Sequence, residues 1–238
     1  MSLSERQKKI LAFPYSRYDS LRGGRMANYR NSRFCENLNI AQFETEGQYN
    51  IPVLEPYVYE LCEFVGFNFA KSAKNKGEKG LHFFVDDYQF ERLWREPLAY
   101  INLIGEFHSI MTPDFSLYTD YPKALQIYNH YRKHWLGALW QSIGYKVIPT
   151  IAWSDKDSFD WCFDGTPKRA TVAVSSVGTQ RSEETKRLFL AGWNEMLRRL
   201  EPETVIFHGE IPKECNANII RIKSFQEKFR EVKADYGW

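Results

Sequence analysis

From residue 63 onward, short apolar runs alternate with longer segments in which apolar positions recur every third or fourth residue. The runs are EFVGFNFA (63–70), LHFFVDD (81–87), HSIMTPDF (108–115), YKVIPTIAW (145–153), ATVAVSS (170–176), ETVIFHG (203–209) and NIIRIKS (218–224). Most are continuously apolar and rich in Val, Ile and Phe, the pattern of strands buried on both faces. Between them, YPKALQIYNHYRKHWLGALWQSIG predicts a helix. Pro122 suits a first turn, Leu125, Tyr128, Trp135, Leu139 and Ile143 share a stripe, and Gly144 stops it. RSEETKRLFLAGWNEMLRRLEP predicts a second, with Ser182 as N-cap, Glu183 and Glu184 at the positive end, Arg198 and Arg199 at the negative end and Pro202 beyond. YQFERLWREPLAYINLIGEF predicts a third helical region, interrupted at Pro97.

Strand, helix and strand in regular succession, with short links, imply parallel strands joined by right-handed crossovers. The predicted fold is therefore α/β with mainly parallel strands and alternating helices. It is TIM-barrel-like, complete or incomplete, with IPVLEP (51–56) as a candidate closing strand. An open doubly wound sheet is the alternative. The predicted organisation is a basic N-terminal arm over 1–50 and a barrel-like domain over 51–238.

In parallel α/β folds the carboxyl ends of the strands share one rim, and ligands bind there. Reading off those ends gives Asn68, Asp86 and Asp87, then Asp114, Ser116 and Tyr118, then Trp153 and Asp155, Ser175 and Ser176, His208 and Glu210, and Lys223 and Ser224. The candidate catalytic residues are Asp114, Asp87 and His208. Asp114 is the candidate nucleophile or general base and Asp87 its partner. An Asp in a β-to-α link also serves as an ordinary backbone cap, and a His at a strand end as a structural group. Adjacent strand residues point to opposite faces, so Asp86 and Asp87 read as one rim residue and one cap. The candidate substrate-binding residues are Tyr118, Trp153, Ser175, Ser176 and Asn68, with Trp153 placed to stack on a flat or sugar-like ligand. The Ser175 to Thr179 turn precedes a helix and could receive a small anionic group on its amides; it is equally an ordinary turn. DSFDWCFDG (157–165) reads either as an acidic, aromatic loop over the mouth or as a loop whose rings pack down.

Composition narrows the alternatives. No GxGxxG or GxxxxGK[ST] loop is present, which speaks against dinucleotide and nucleoside-triphosphate folds. His130 and His134 lie four apart on the longest predicted helix, without an HExxH motif, and no metal site is assigned. No cofactor can be named. The four cysteines (35, 62, 162 and 215) contain no CxxC pair and read as reduced thiols of a cytosolic protein. The N-terminus does not read as a signal peptide, and no apolar run approaches the ~20 residues of a membrane span. The net charge of +2 is too small to argue nucleic-acid binding by itself. Charge is uneven, however. Arg22, Arg25, Arg30 and Arg33 lie in the N-terminal arm, and a second basic stretch, KSAKNKGEKG (71–80), reads as a loop. The aromatic share of 16% supplies both core and stacking surfaces.

The set FFVDDYQFERLW, MTPDFSLY, GALWQSIGYKVIPTIAW, FDG and VAVSSVG, together with GQYNIPVLEP (47–56), resembles an uncharacterised domain family of phages, prophages and mobile elements of Gram-positive bacteria. The resemblance runs from about residue 35 to 210. It implies a phage or mobile-element origin and a setting in the host cytoplasm, and it carries over no reaction and no catalytic residue. Two functions remain open at this point. One is an enzyme whose rim acts on a nucleotide, modified base or sugar-phosphate type ligand by hydrolysis or glycosyl transfer. The other is a non-catalytic protein that binds nucleic acid or a host or defence protein through the basic arm.

Overall fold

The computed structural model describes residues 36–38, 40–224 and 227. The arm arginines at 22, 25, 30 and 33 lie outside the described residues, as does the cysteine at 35. The chain first forms a short antiparallel hairpin, β1 (Thr45–Glu46) and β2 (Ile51–Pro52). Seven parallel strands follow: β3 (Glu63–Gly66), β4 (Lys79–His82), β5 (Ser109–Met111), β6 (Val147–Ile148), β7 (Thr171–Ser175), β8 (Thr204–His208) and β9 (Ile219–Ile222). They pair strictly in chain order, as β3-β4-β5-β6 and β7-β8-β9. A single parallel bridge, Thr150 to Ala173, links the two sheets. Its bonds run from Ile151 N to Ala173 O at 2.7 Å and from Ala173 N to Pro149 O at 2.9 Å.

The α/β class and the parallel strands agree with the sequence reading. The barrel does not close among the described residues, because no pairing joins β9 to β3. The candidate closing strand is placed elsewhere. Ile51 is fully buried in β2, which pairs only with β1, and His134 of the long helix lies 3.0 Å from Pro52 O. Nor does the strand order reverse, as it must in an open doubly wound sheet.

The strands are shorter than the apolar runs for identifiable reasons. Pro113 and Pro149 have no N–H to give a ladder, so β5 and β6 stop just before them. After β4, Val85 N bonds Phe83 O at 2.8 Å, a local turn in place of further pairing. The stretch 71–80, expected as a loop, contains a 3-10 turn at Lys76–Glu78, and its last two residues open β4.

Helices α1 (Glu91–Arg95) and α2 (Ile101–Ile104) flank Pro97, while α3 (Lys123–Ser142) and α4 (Glu183–Leu200) are long. At the start of α4 the Ser182 hydroxyl accepts from Thr185 N, and the Thr185 hydroxyl accepts from Ser182 N, both at 3.1 Å. This is a capping box with Thr in the usual Glu position. Alternation along β7 and β8 decides the packing. Val172, Val174, Val205 and Phe207 meet Phe189, Trp193 and Met196 of α4. The intervening Ala173 and Ile206 join Met111, Ile148 and Leu81 in a second core. No described helix is long and apolar enough to cross a membrane.

Candidate functional site

Parallel strands that begin together also end together, and the ends of β3, β4, β5, β7 and β8 surround a pocket of about 680 Å³. Asn68, Asp87, Asp114, Tyr118, Ser175 and His208 all line it. Those six come from five different strand ends, separated by up to 140 positions (208 − 68) in the chain. The ends of β4 and β8 approach across the opening: the His82 and His208 rings lie 5.5 Å apart, and Phe84 stacks on His208 at 4.6 Å.

Two of the candidate substrate-binding residues, Trp153 and Ser176, are not among the residues that line the pocket. Trp153 packs against Phe189, with ring centroids 5.3 Å apart, and lies flat on α4 at Gly192. A Cβ at 192 would stand 2.3 Å from the indole, so only glycine admits it. The chain leaves the sheet after Thr150, and Trp153 follows the outer face. Ser176 is buried, and its hydroxyl donates to Glu210 O at 2.5 Å. It fastens the β7 end to the β8 end and does not reach a ligand. The Asp157–Gly165 loop packs down. Trp161 is 1% exposed within the α4 core, and Asp157 and Asp160 face solvent. Asp155 accepts from Ser158 N at 3.1 Å and is a cap. Asp86 makes no side-chain cap bond and lines the pocket beside Asp87.

The two candidate carboxyls differ in surroundings. Both oxygens of Asp87 accept bonds from Ser116, one from its backbone N at 3.0 Å and one from its hydroxyl at 2.9 Å. Asp114 makes no hydrogen bond to any described residue. Burial pushes its carboxyl up to about 7; the positive charge of Lys133 pulls against this and the negative charge of Asp87 adds to it. A carboxyl that is half protonated near neutral pH can either give or take a proton. Facing them, the Ser175 hydroxyl and His208 Nδ1 lie 3.0 Å apart, paired in register across β7 and β8.

The support for the segment carrying Asp114 and Ser116 comes from α3, which the sequence reading took as an apolar stripe and a pair of histidines four apart. From Gln126 to His134 its buried residues are polar, whereas from Trp135 to Trp140 they are apolar. Gln126 donates to the carbonyls of Tyr118 and Tyr121 at 3.1 and 2.9 Å, and Asn129 donates to Ser116 O at 2.7 Å. Arg132 grips Glu91 with bonds of 2.9 and 2.8 Å, donates to Asn129 at 3.0 Å and lies 3.7 Å over the Phe115 ring. Lys133 is 1% exposed and its ammonium has no hydrogen-bond partner among the described residues. Burial lowers it to about 8, against the opposing pull of Asp114. The polar spacing at 126, 129/130 and 133 was a visible signal. A polar stripe on a helix ordinarily reads as its solvent face.

His130 and His134 are both buried, with rings 4.5 Å apart, and lie 3.1 and 3.0 Å from the carbonyls of Asp164 and Pro52. Burial pushes His130 well below the ordinary imidazole value and His134 down to about 3. Among the described residues no three His, Cys, Asp or Glu side chains come together as a metal site.

Two curated relatives are phage proteins. The chain is 41% identical over 173 residues to "Gene 1 protein" of Mycobacterium phage L5, covering 71% of this chain and 75% of the relative. It is 38% identical over 185 residues to "Gene 1 protein" of Mycobacterium phage D29, covering 77% of this chain and 68% of the relative. No solved structure matches the chain significantly. Residues 43–226, which include every residue that lines the pocket, match one family model, and the chain belongs to that phage-associated family, described as "Domain of unknown function (DUF4417)".

Proposed function

We propose that the pocket is an active site for proton-assisted cleavage or transfer of a bond to a sugar carbon, in a nucleoside-, modified-base- or sugar-type ligand. The observation that carries this reading is the unequal pair of carboxyls: Asp114, lifted to about 7 and without a hydrogen bond to any described residue, beside Asp87, whose oxygens are both engaged. Breaking a C–N or C–O bond at a sugar carbon leaves positive charge on that carbon and negative charge on the departing atom. In the proposed reaction, protonated Asp114 gives its proton to the departing atom as the bond breaks. Asp87 opposes the positive charge. Water, or an acceptor hydroxyl, then adds to the carbon and returns its proton to Asp114. His208 and Ser175 hold a sugar hydroxyl, and Tyr118 contacts the ring.

The frame that supports this reading is an incomplete (βα)-barrel. Chain-order pairing of seven parallel strands and the approach of His82 to His208 across the opening favour it. The test is turnover. The four common ribonucleosides and deoxyribonucleosides, incubated with the protein, should release free base by chromatography. Asp114→Asn should abolish release while the variant still unfolds cooperatively. Unchanged release by that variant would remove Asp114 from the mechanism.

A further inference from the structure

The charge and amide inventory of the pocket identifies what it excludes. Three carboxyl residues line it, Asp86, Asp87 and Asp114, and among the described lining residues there is no Lys or Arg. A phosphate brought among them meets like charge with no guanidinium or ammonium in the described lining to bond it; the buried Lys133 ammonium lies behind Asp114 and outside that lining. The other common phosphate receptor, a cradle of backbone amides, is engaged within the protein at three positions of the turn after β7. In the turn after β7, Ser176 N bonds His208 O at 3.1 Å, Val177 N bonds Ser175 Oγ at 3.3 Å and Thr179 N bonds Ser176 O at 3.1 Å. The start of α4 is closed by its own capping box and carries Glu183 and Glu184 in its first turn. The anionic group that this turn could have received therefore has no free donors at Ser176, Val177 or Thr179.

What the pocket does offer is flat apolar surface and hydroxyl recognition. Phe69, Phe84, Tyr88, Tyr118 and Tyr121 all line it. Tyr88 is 77% exposed and Tyr118 59%, so large rings stand uncovered around an acidic interior. Exposed apolar rings concentrated at the edge of a cavity mark a contact surface. Aromatic faces stack on bases, and on cationic ones most strongly. Ser116, Ser175, Asn68 and Ser224 supply short polar groups among these rings.

We infer that the pocket takes an unphosphorylated, neutral or cationic ligand of nucleoside size and discriminates against its phosphate ester. This rests on the reading of the pocket as a nucleoside- or sugar-type site, and it narrows the substrate class of that site. It also accounts for the acidic lining in chemical terms. Carboxylates that would repel a phosphate are the groups that stabilise positive charge developing on a sugar carbon.

The experiment is a binding comparison by isothermal titration calorimetry on the full chain. The probes are adenosine, guanosine, cytidine and uridine, their 5′-monophosphates, and the cationic 7-methylguanosine. At least one nucleoside should bind at least tenfold more tightly than its monophosphate. The cationic probe should bind at least as tightly as guanosine. Asp86→Asn changes an exposed side chain with no cap bond to lose, so it should fold, and it should narrow the gap between nucleoside and monophosphate. A monophosphate that binds as tightly as its nucleoside, a gap unchanged in Asp86→Asn, or no binding of any probe would each overturn the inference. Binding with the expected preference but without base release would leave this inference standing and refute the proposed reaction, so the two failures are separable.

Discussion

Replacing Asp114 by Asn should make the protein progressively more stable than the unsubstituted chain as pH rises from 5 to 8. The cause is proton linkage. In an unfolded chain the carboxyl ionises near its ordinary 3.8, whereas burial in the fold holds ionisation off until about 7. Between those values the folded state keeps a proton that the unfolded state has lost. Stability contributed by this group therefore falls as pH rises through the window and stays low above it. The full interval corresponds to about 4 kcal/mol, of which more than half falls between pH 5 and 8. The attraction of Lys133 is already contained in the folded value, but the side chain also lines the open pocket. Solvent screening reduces the expected change to about 1–2 kcal/mol. Asn has the same shape and cannot ionise, so the variant lacks this pH dependence. Urea unfolding followed by tryptophan fluorescence at pH 5 and pH 8 measures it, with equal denaturant slopes required for the comparison. A stability difference that is the same at both pH values, or that shrinks as pH rises, would refute the reasoning that burial governs Asp114.

Two further outcomes follow from the polar face of α3. Arg132→Met removes two bonds to Glu91, one to Asn129 and the stack on Phe115, and should cost about 2–4 kcal/mol because Glu91 is only partly rescued by water. In calorimetry that is a fall in Tm of roughly 5–12 °C for a chain of this size, whereas Arg198→Ala, at a side chain 67% exposed, should stay within about 0.5 kcal/mol. Equal losses would contradict the ranking. Lys133→Met removes the positive charge that holds Asp114 down, so carbon-13 NMR titration of the Asp114 carboxyl should find its midpoint above the unsubstituted value of about 7; a midpoint that moves down would contradict the coupling.

The seven parallel strands were legible because continuous apolar runs of four to eight residues between helical segments have few other solutions. Their shared edge was legible for the same reason, since parallel strands linked by crossovers must end on one side. That is why Asn68, Asp87, Asp114, Tyr118, Ser175 and His208 could be gathered from distant segments. What failed was local direction. The run 145–153 reads as one long strand, yet Pro149 interrupts the ladder, β6 ends at Ile148, and only Thr150 bridges onward. Two residues beyond that bridge are enough to carry Trp153 to the helix side, where Gly192 leaves room for it. Nothing in the run itself specifies which side the chain takes after a break. The register that sets Ser175 opposite His208 was hidden in the same way, because pairing across β7 and β8 is fixed by packing between segments.

The polar stripe of α3 shows why a site of this kind resists reading by pattern alone. The segment from Thr112 to Pro122 carries Asp114, Ser116, Tyr118 and Tyr121, yet it has no ladder and no helix of its own. Buried carbonyls in such a segment must still find donors. Gln126 and Asn129 provide them for Ser116, Tyr118 and Tyr121, and the Thr150 hydroxyl provides one for Thr112 at 2.8 Å. Ser116, so held, offers its N–H and hydroxyl to Asp87. The position of one carboxyl therefore depends on a helix residue 42 positions away in sequence (129 − 87). A helix that looks two-faced, apolar inside and polar outside, is here polar toward the site, and the polar groups are what allow an irregular strand-end loop to be rigid enough to aim Asp114 into the pocket.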